Sequence, residues 1–256
     1  MSKAGRSGSF VTSDGVRVHF EEFGAGDPVV LIHGWAASRR FWRHQVPRLA
    51  ESYRVLTLDL RGHGDSERPL PADYTALRMA RDVIELCEHL GIRTPSVVGH
   101  SLGGLVVSLA SLEMECRSLI LLSPPLKMPS KVEIALMGLI LSVRPLARRV
   151  ITPRMFAAPR PELTEFVRRE SARSHPAVLK EVLLQNAGVR LPTRLLPERT
   201  TIIVGSADRV NDPAKLERLA HSAGARFILI PEAGHNLMLE RPEEVTEAII
   251  EALSSV

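Results

Sequence analysis

Cysteine is scarce in this chain. Cys87 and Cys116 are the only two in 256 residues. That excludes a disulfide-stapled secreted domain, and both thiols are expected to be free in a reducing compartment. No Cys/His cluster has zinc-like spacing, so no metal site is expected. Aromatic residues make up only 4% and no nucleic-acid-binding motif is present. The net charge of +4 therefore does not point to nucleic acid. Long apolar runs are also missing. The longest, residues 134–143, is broken by Gly138 and Ser142, far short of the roughly 20 residues that span a bilayer. The first nine residues lead into no apolar run, which argues against a secretory signal. The expected location is the cytoplasm.

What is present suits a globular domain. Hydrophobic residues are 45% and charged residues 24%, enough for a sizeable core and against disorder. The charge is unevenly spread. Residues 124–199 hold 14 Lys and Arg against 6 Asp and Glu, while the rest of the chain holds 19 against 23. The middle segment is thus basic and the remainder mildly acidic.

Residues 10–22 read as two short strands around the Asp14-Gly15 turn, with Val16, Val18 and Phe20 alternating with polar partners. Continuous apolar runs follow at residues 28–32, 54–58, 96–98, 118–122, 200–204 and 226–230. Such runs are expected of strands buried on both faces of a parallel sheet. Helical stretches at 38–50, 74–90, 102–112, 212–221 and 242–253 alternate with them. This order predicts an α/β fold. Residues 124–199 are the exception, with no strand-like run and 10 of the 18 prolines. They are expected to form a helical cap of short, Pro-bounded helices inserted into a core made of residues 1–123 and 200–256.

The chemistry is concentrated in Gly99-His100-Ser101-Leu102-Gly103. This Gly-x-Ser-x-Gly stretch stands directly after a strand pattern and directly before a helix, the setting of a nucleophile elbow. The tight turn lifts the serine hydroxyl above the sheet, and side chains two residues away on either side would clash. At the helix start, the Leu102 N–H can point at a developing oxyanion. A serine hydroxyl needs a base. His235, in Ala233-Gly234-His235-Asn236, follows the last strand pattern and lies at the same carboxyl edge. His33, His63 and His100 share that edge, where turn packing, loop anchoring and support beneath the elbow suit them better. The base in turn needs an acid to fix its tautomer. Asp208 follows the strand at residues 200–204. Asp212, just before Pro213, reads as a helix N-cap instead. Gly34 and Trp35, after the strand at 28–32, are expected to supply the second oxyanion donor through the Trp35 N–H.

With these motifs in place, the sequence resembles the α/β-hydrolase superfamily. His33-Gly34-Trp35, Asp59-Leu60-Arg61-Gly62-His63-Gly64-Asp65-Ser66, the serine elbow, Gly205-Ser206-Ala207-Asp208 and Gly234-His235-Asn236 match its landmarks in order. The resemblance implies about eight mostly parallel strands, a Ser101-Asp208-His235 triad, and no cofactor. It also implies scaffold duty for residues 59–66. Relatives that open epoxides or remove halides carry Asp at the elbow, so Ser101 implies acyl transfer to water.

The expected function is therefore hydrolysis of a small carboxylic ester with an apolar acyl group. Carbon–carbon bond hydrolysis of aromatic ring-cleavage products, lactone or thioester hydrolysis and haloperoxidase-like chemistry stand as alternatives on the same triad. Trp35, Met137, Leu141, Met155 and Phe156 are the expected lining of the acyl site. The apolar stretch 134–143 is followed by Arg144, Arg148, Arg149 and Arg154. That composition also suits an element that could rest weakly on an anionic membrane surface.

Overall fold

The computed structural model describes residues 5–142, 155–193 and 198–255. Its centre is an eight-stranded sheet: β1 (Arg6–Val11), β2 (Arg17–Phe23), β3 (Asp27–Ile32), β4 (Tyr53–Leu58), β5 (Ser96–His100), β6 (Ser118–Leu122), β7 (Thr200–Gly205) and β8 (Arg226–Ile230). The spatial order is β1-β2-β4-β3-β5-β6-β7-β8. β1 pairs antiparallel with β2, and β2 antiparallel with β4. Every pairing from β4 to β8 is parallel. This is the mostly parallel α/β sheet expected from the alternating runs.

Among the described residues the helices are α1 (Gln45–Leu49), α2 (Ala76–His89), α3 (Leu102–Ala110), α4 (Lys131–Ser142), α5 (Pro161–Ser171), α6 (Pro176–Gln185), α7 (Pro213–Ser222), α8 (Leu237–Glu240) and α9 (Pro242–Ser254). They cover both faces of the sheet, so the central strands must be apolar on both sides. In β3, Val30 and Ile32 enter one core with Met79, Val83 and Leu86 of α2. Val29 and Leu31 enter the other with Trp42, Leu49 and Ile249. Each fully buried Val, Leu or Ile side chain contributes about 1.5–3 kcal/mol of transfer free energy.

Two local expectations are corrected. The helix expected over residues 38–50 is a short 3-10 turn, Arg39–Trp42, followed by the separate α1. Pro47 explains the break: it has no N–H to donate, and its ring clashes with the carbonyl four residues back. The strand at 226–230 is not buried on both faces. β8 is the last strand of the sheet, and Leu229 is 47% exposed.

Between β6 and β7 lie α4, α5 and α6, with Pro161 and Pro176 opening the latter two. Proline's missing N–H costs nothing in a first helical turn. The arginines at 144, 148, 149 and 154 lie outside the described residues, as do the side chains of Met137 and Leu141. Among the described residues, no helix is long and apolar enough to cross a membrane. Cys87 and Cys116 are free, and burial pushes both thiols up to about 12.

Candidate active site

Because β3, β5, β7 and β8 run parallel, their carboxyl ends lie along one edge of the sheet. The segments that follow them carry Trp35, Ser101, Asp208 and His235. Ser101 sits between β5 and α3 with φ 51° and ψ −119°. That is strained backbone for a residue with a side chain. The flanking glycines make the turn possible. A Cβ on Gly99 would lie 2.3 Å from the Gly103 carbonyl oxygen, and one on Gly103 2.4 Å from that of Ile32.

The three residues expected at the centre of the site are brought together. His235 Nε2 lies 3.0 Å from Ser101 Oγ, and His235 Nδ1 lies 3.0 Å from Asp208 Oδ2. These partners assign the tautomer: Nδ1–H donates to the carboxylate, leaving Nε2 to accept from the serine hydroxyl. Asp208 is buried. Burial opposes its charge, but the hydrogen bond and charge of His235 and the N–H groups of Asn211 and Val210 outweigh it. Its carboxyl is held below the usual range. Those two N–H groups donate to Oδ1 at 3.0 and 2.8 Å.

Gly34 packs against the nucleophile: a Cβ there would lie 3.1 Å from that of Ser101. The next residue is Trp35. Its N–H and that of Leu102, the first residue of α3, meet no acceptor among the described residues. These are the two N–H groups expected to serve an oxyanion at Ser101.

The other histidines of this edge are structural. His33 Nδ1–H donates to the Gly34 carbonyl at 2.7 Å, while Nε2 accepts from the Leu60 N–H. His100 Nε2 donates to the His235 carbonyl at 3.0 Å. Burial, followed by a neighbouring imidazole, pushes both His63 and His100 down to about 3. Asp212 caps α7, accepting from the Ala214 and Lys215 N–H groups. Asp59 is likewise scaffold: it accepts from the Arg39 N–H at 2.7 Å and pairs with the Arg39 guanidinium.

The sequence gives no signal for two residues that brace the site. Glu240 accepts from the N–H groups of Gly234, Ala157 and Ala158, tying the His235 loop to the chain after α4. Asn211 reaches from the Asp208 turn to the Ser123 carbonyl at 2.7 Å. Each works through a contact with a distant segment.

A cavity of about 570 Å³ opens between α4, α5 and α6, walled by Trp35, Ile134, Leu179 and Leu183. Met155 and Phe156, expected there, are not in its wall. Asn236 N–H donates to the Met155 carbonyl, the backbone of Phe156 packs against Gly234, and the Phe156 ring is buried in the core. Pinning to the His235 loop draws this turn away from the cavity. Among the described residues, no group of three or more His, Cys, Asp or Glu could hold a metal ion.

Beside this geometry stand the likenesses to known proteins. The model of the alpha/beta hydrolase family matches residues 29–248. The chain belongs to the alpha/beta hydrolase family. It is 46% identical over 93 residues to a soluble epoxide hydrolase from Corynebacterium sp., a stretch covering 36% of this chain and 32% of that protein. The chain thus matches about a third of that relative's length. Over 272 aligned residues it is 29% identical to the putative non-heme bromoperoxidase BpoC of Mycobacterium tuberculosis, covering 94% of this chain and 99% of that one. An esterase structure from Exiguobacterium antarcticum superposes with a TM-score of 0.85 at 26% identity, covering 96% and 98% of the two chains.

Proposed function

We propose that this family member is a serine hydrolase that cleaves carboxylic esters with an apolar acyl group through an acyl-enzyme on Ser101. The observation that carries the reading is His235 bridging Ser101 and Asp208 at 3.0 Å on both sides. Ser101 Oγ attacks the ester carbonyl as its proton passes to His235 Nε2. The carbonyl oxygen becomes an oxyanion, held by the N–H groups of Trp35 and Leu102. The tetrahedral centre collapses, the bond to the alcohol oxygen breaks, and His235 gives that oxygen its proton. Water then repeats the sequence, releasing the acid and restoring Ser101. Asp208 stays ionised and stabilises the imidazolium. No step draws on a cofactor.

The local likeness to an epoxide hydrolase does not extend this reading to epoxides. Attack by a serine oxygen on an epoxide carbon would leave an ether, which the triad has no means of hydrolysing. The same route serves a lactone, which is an internal ester. In this reading α4, α5 and α6 act as a cap whose cavity receives the acyl chain. A panel of p-nitrophenyl esters of increasing chain length tests it. Rates should climb with chain length until the cavity fills, then fall. No turnover of any member would overturn the reading.

A further inference from the structure

The cavity beside Trp35 has a polarity that an apolar acyl chain alone does not explain. Its walls are apolar, yet Arg168 and Lys180 both border it and no acidic residue does. Arg168 is already engaged, since Glu165 accepts from it at 2.6 and 2.8 Å. Lys180, exposed on α6, has no partner among the described residues. Ser174 also borders the cavity. It is 4% exposed, and its hydroxyl has no hydrogen-bond partner among the described residues. A buried hydroxyl without a partner loses its hydration and gains nothing in return, which a ligand oxygen would redress. The cavity thus combines apolar walls, a bordering serine whose buried hydroxyl is unpartnered among the described residues, and one unpaired ammonium. Its volume is that of a site for a small organic molecule. Ser101 does not line it. Trp35 is the link: its main chain follows the glycine packed on Ser101, and the residue forms part of the wall.

Resting on the serine hydrolase reading, we propose that the preferred substrates are half-esters of dicarboxylic acids, whose chain runs past Trp35 into this cavity and ends in a carboxylate held by Lys180 and Ser174. A single ammonium and a single hydroxyl match one carboxylate. Matching a positive rim to a negative ligand raises both encounter rate and selectivity.

The test uses the whole chain and p-nitrophenyl half-esters of succinic, adipic and sebacic acid, each beside its methyl-capped neutral counterpart. At low ionic strength the free-acid form should have a kcat/KM about two- to fivefold higher at the chain length that reaches Lys180, the span of an exposed ion pair. Added salt should erode that preference. Lys180→Met should bring the ratio to one or below, and Lys180→Arg should keep it. Equal turnover of both forms at every length, or an unchanged ratio in Lys180→Met, would overturn the inference alone. Turnover of neither form would overturn the hydrolase reading and this inference with it. The salt series on the unaltered protein decides the question even where a variant fails to fold.

Discussion

Trp35 Nε1 donates to the Leu179 carbonyl at 2.9 Å across 144 residues of sequence. The residue proposed to meet the oxyanion is thus fastened to α6. Two further bonds join the same loop to α5: Ser171 Oγ donates to the Ala36 carbonyl at 2.8 Å, and Ser38 Oγ to Glu170 Oε2 at 2.7 Å. The loop after β3 is therefore held from below by His33 and from above by the helices between β6 and β7.

Trp35→Phe keeps a ring in the cavity wall and leaves the main-chain N–H in place. It removes only the bond to Leu179. A net hydrogen bond is worth about 0.5–1.5 kcal/mol, so kcat should fall about two- to tenfold. Steady-state kinetics beside a melting curve separate the outcomes. A loss confined to stability, with kcat unchanged, would show that the bond does not position the oxyanion donor.

The triad should behave as one unit. Ser101→Ala, Asp208→Asn and His235→Ala should each lower turnover on the order of 10⁴-fold or more without unfolding the chain. The Ser101→Ala/His235→Ala double variant should be little slower than either single one. Kinetics of all four, with circular dichroism for the fold, check this. Multiplying losses would mean that the residues act independently.

The buried histidines set an acid limit on stability. His63 and His100 are held near 3 in the folded chain, against about 6.5 for an exposed imidazole. Their burial has no pH-dependent cost above pH 6.5. Between pH 6.5 and 3 the unfolded chain takes up protons that the folded chain refuses, so stability falls as the pH is lowered. The slope is up to about 1.4 kcal/mol per pH unit for each histidine. Urea titrations from pH 7 to 4.5 read it directly. His63→Gln should flatten the slope; an unchanged slope would assign the acid sensitivity elsewhere.

Asp59 and Arg39 form a buried pair, and the arginine also meets Glu21 and Asp65. Removing one partner of such a pair strands the other charge, at a cost of about 3–5 kcal/mol. The two surviving acids should keep Asp59→Ala near the lower figure. Urea denaturation measures it, and a loss well below 1 kcal/mol would show that the pair holds little together.

Legibility in the sequence followed the range of each interaction. The Ser101 elbow is written locally, because the glycines, the strand and the helix all lie between Ser96 and Ala110. Asp208 and His235 were readable because each follows a strand pattern, and parallel strands deliver such loops to one edge. The break at residues 43–44 is also local, yet the helix expected over 38–50 ran through Pro47, the residue that causes it. The turn at Met155 and Phe156 was not readable, since Glu240 and Asn236 hold it from more than 80 residues away. Nor was the cavity, whose walls meet only after Trp35 and Leu179 come together.

The central claim is that His235 makes Ser101 the nucleophile. Labelling with a fluorophosphonate, read by intact mass and peptide mapping, tests it most directly. The expected result is a single adduct on the peptide carrying Ser101, absent in Ser101→Ala and strongly slowed in His235→Ala. No adduct, or an adduct on another residue at the same rate in all three proteins, would contradict the account.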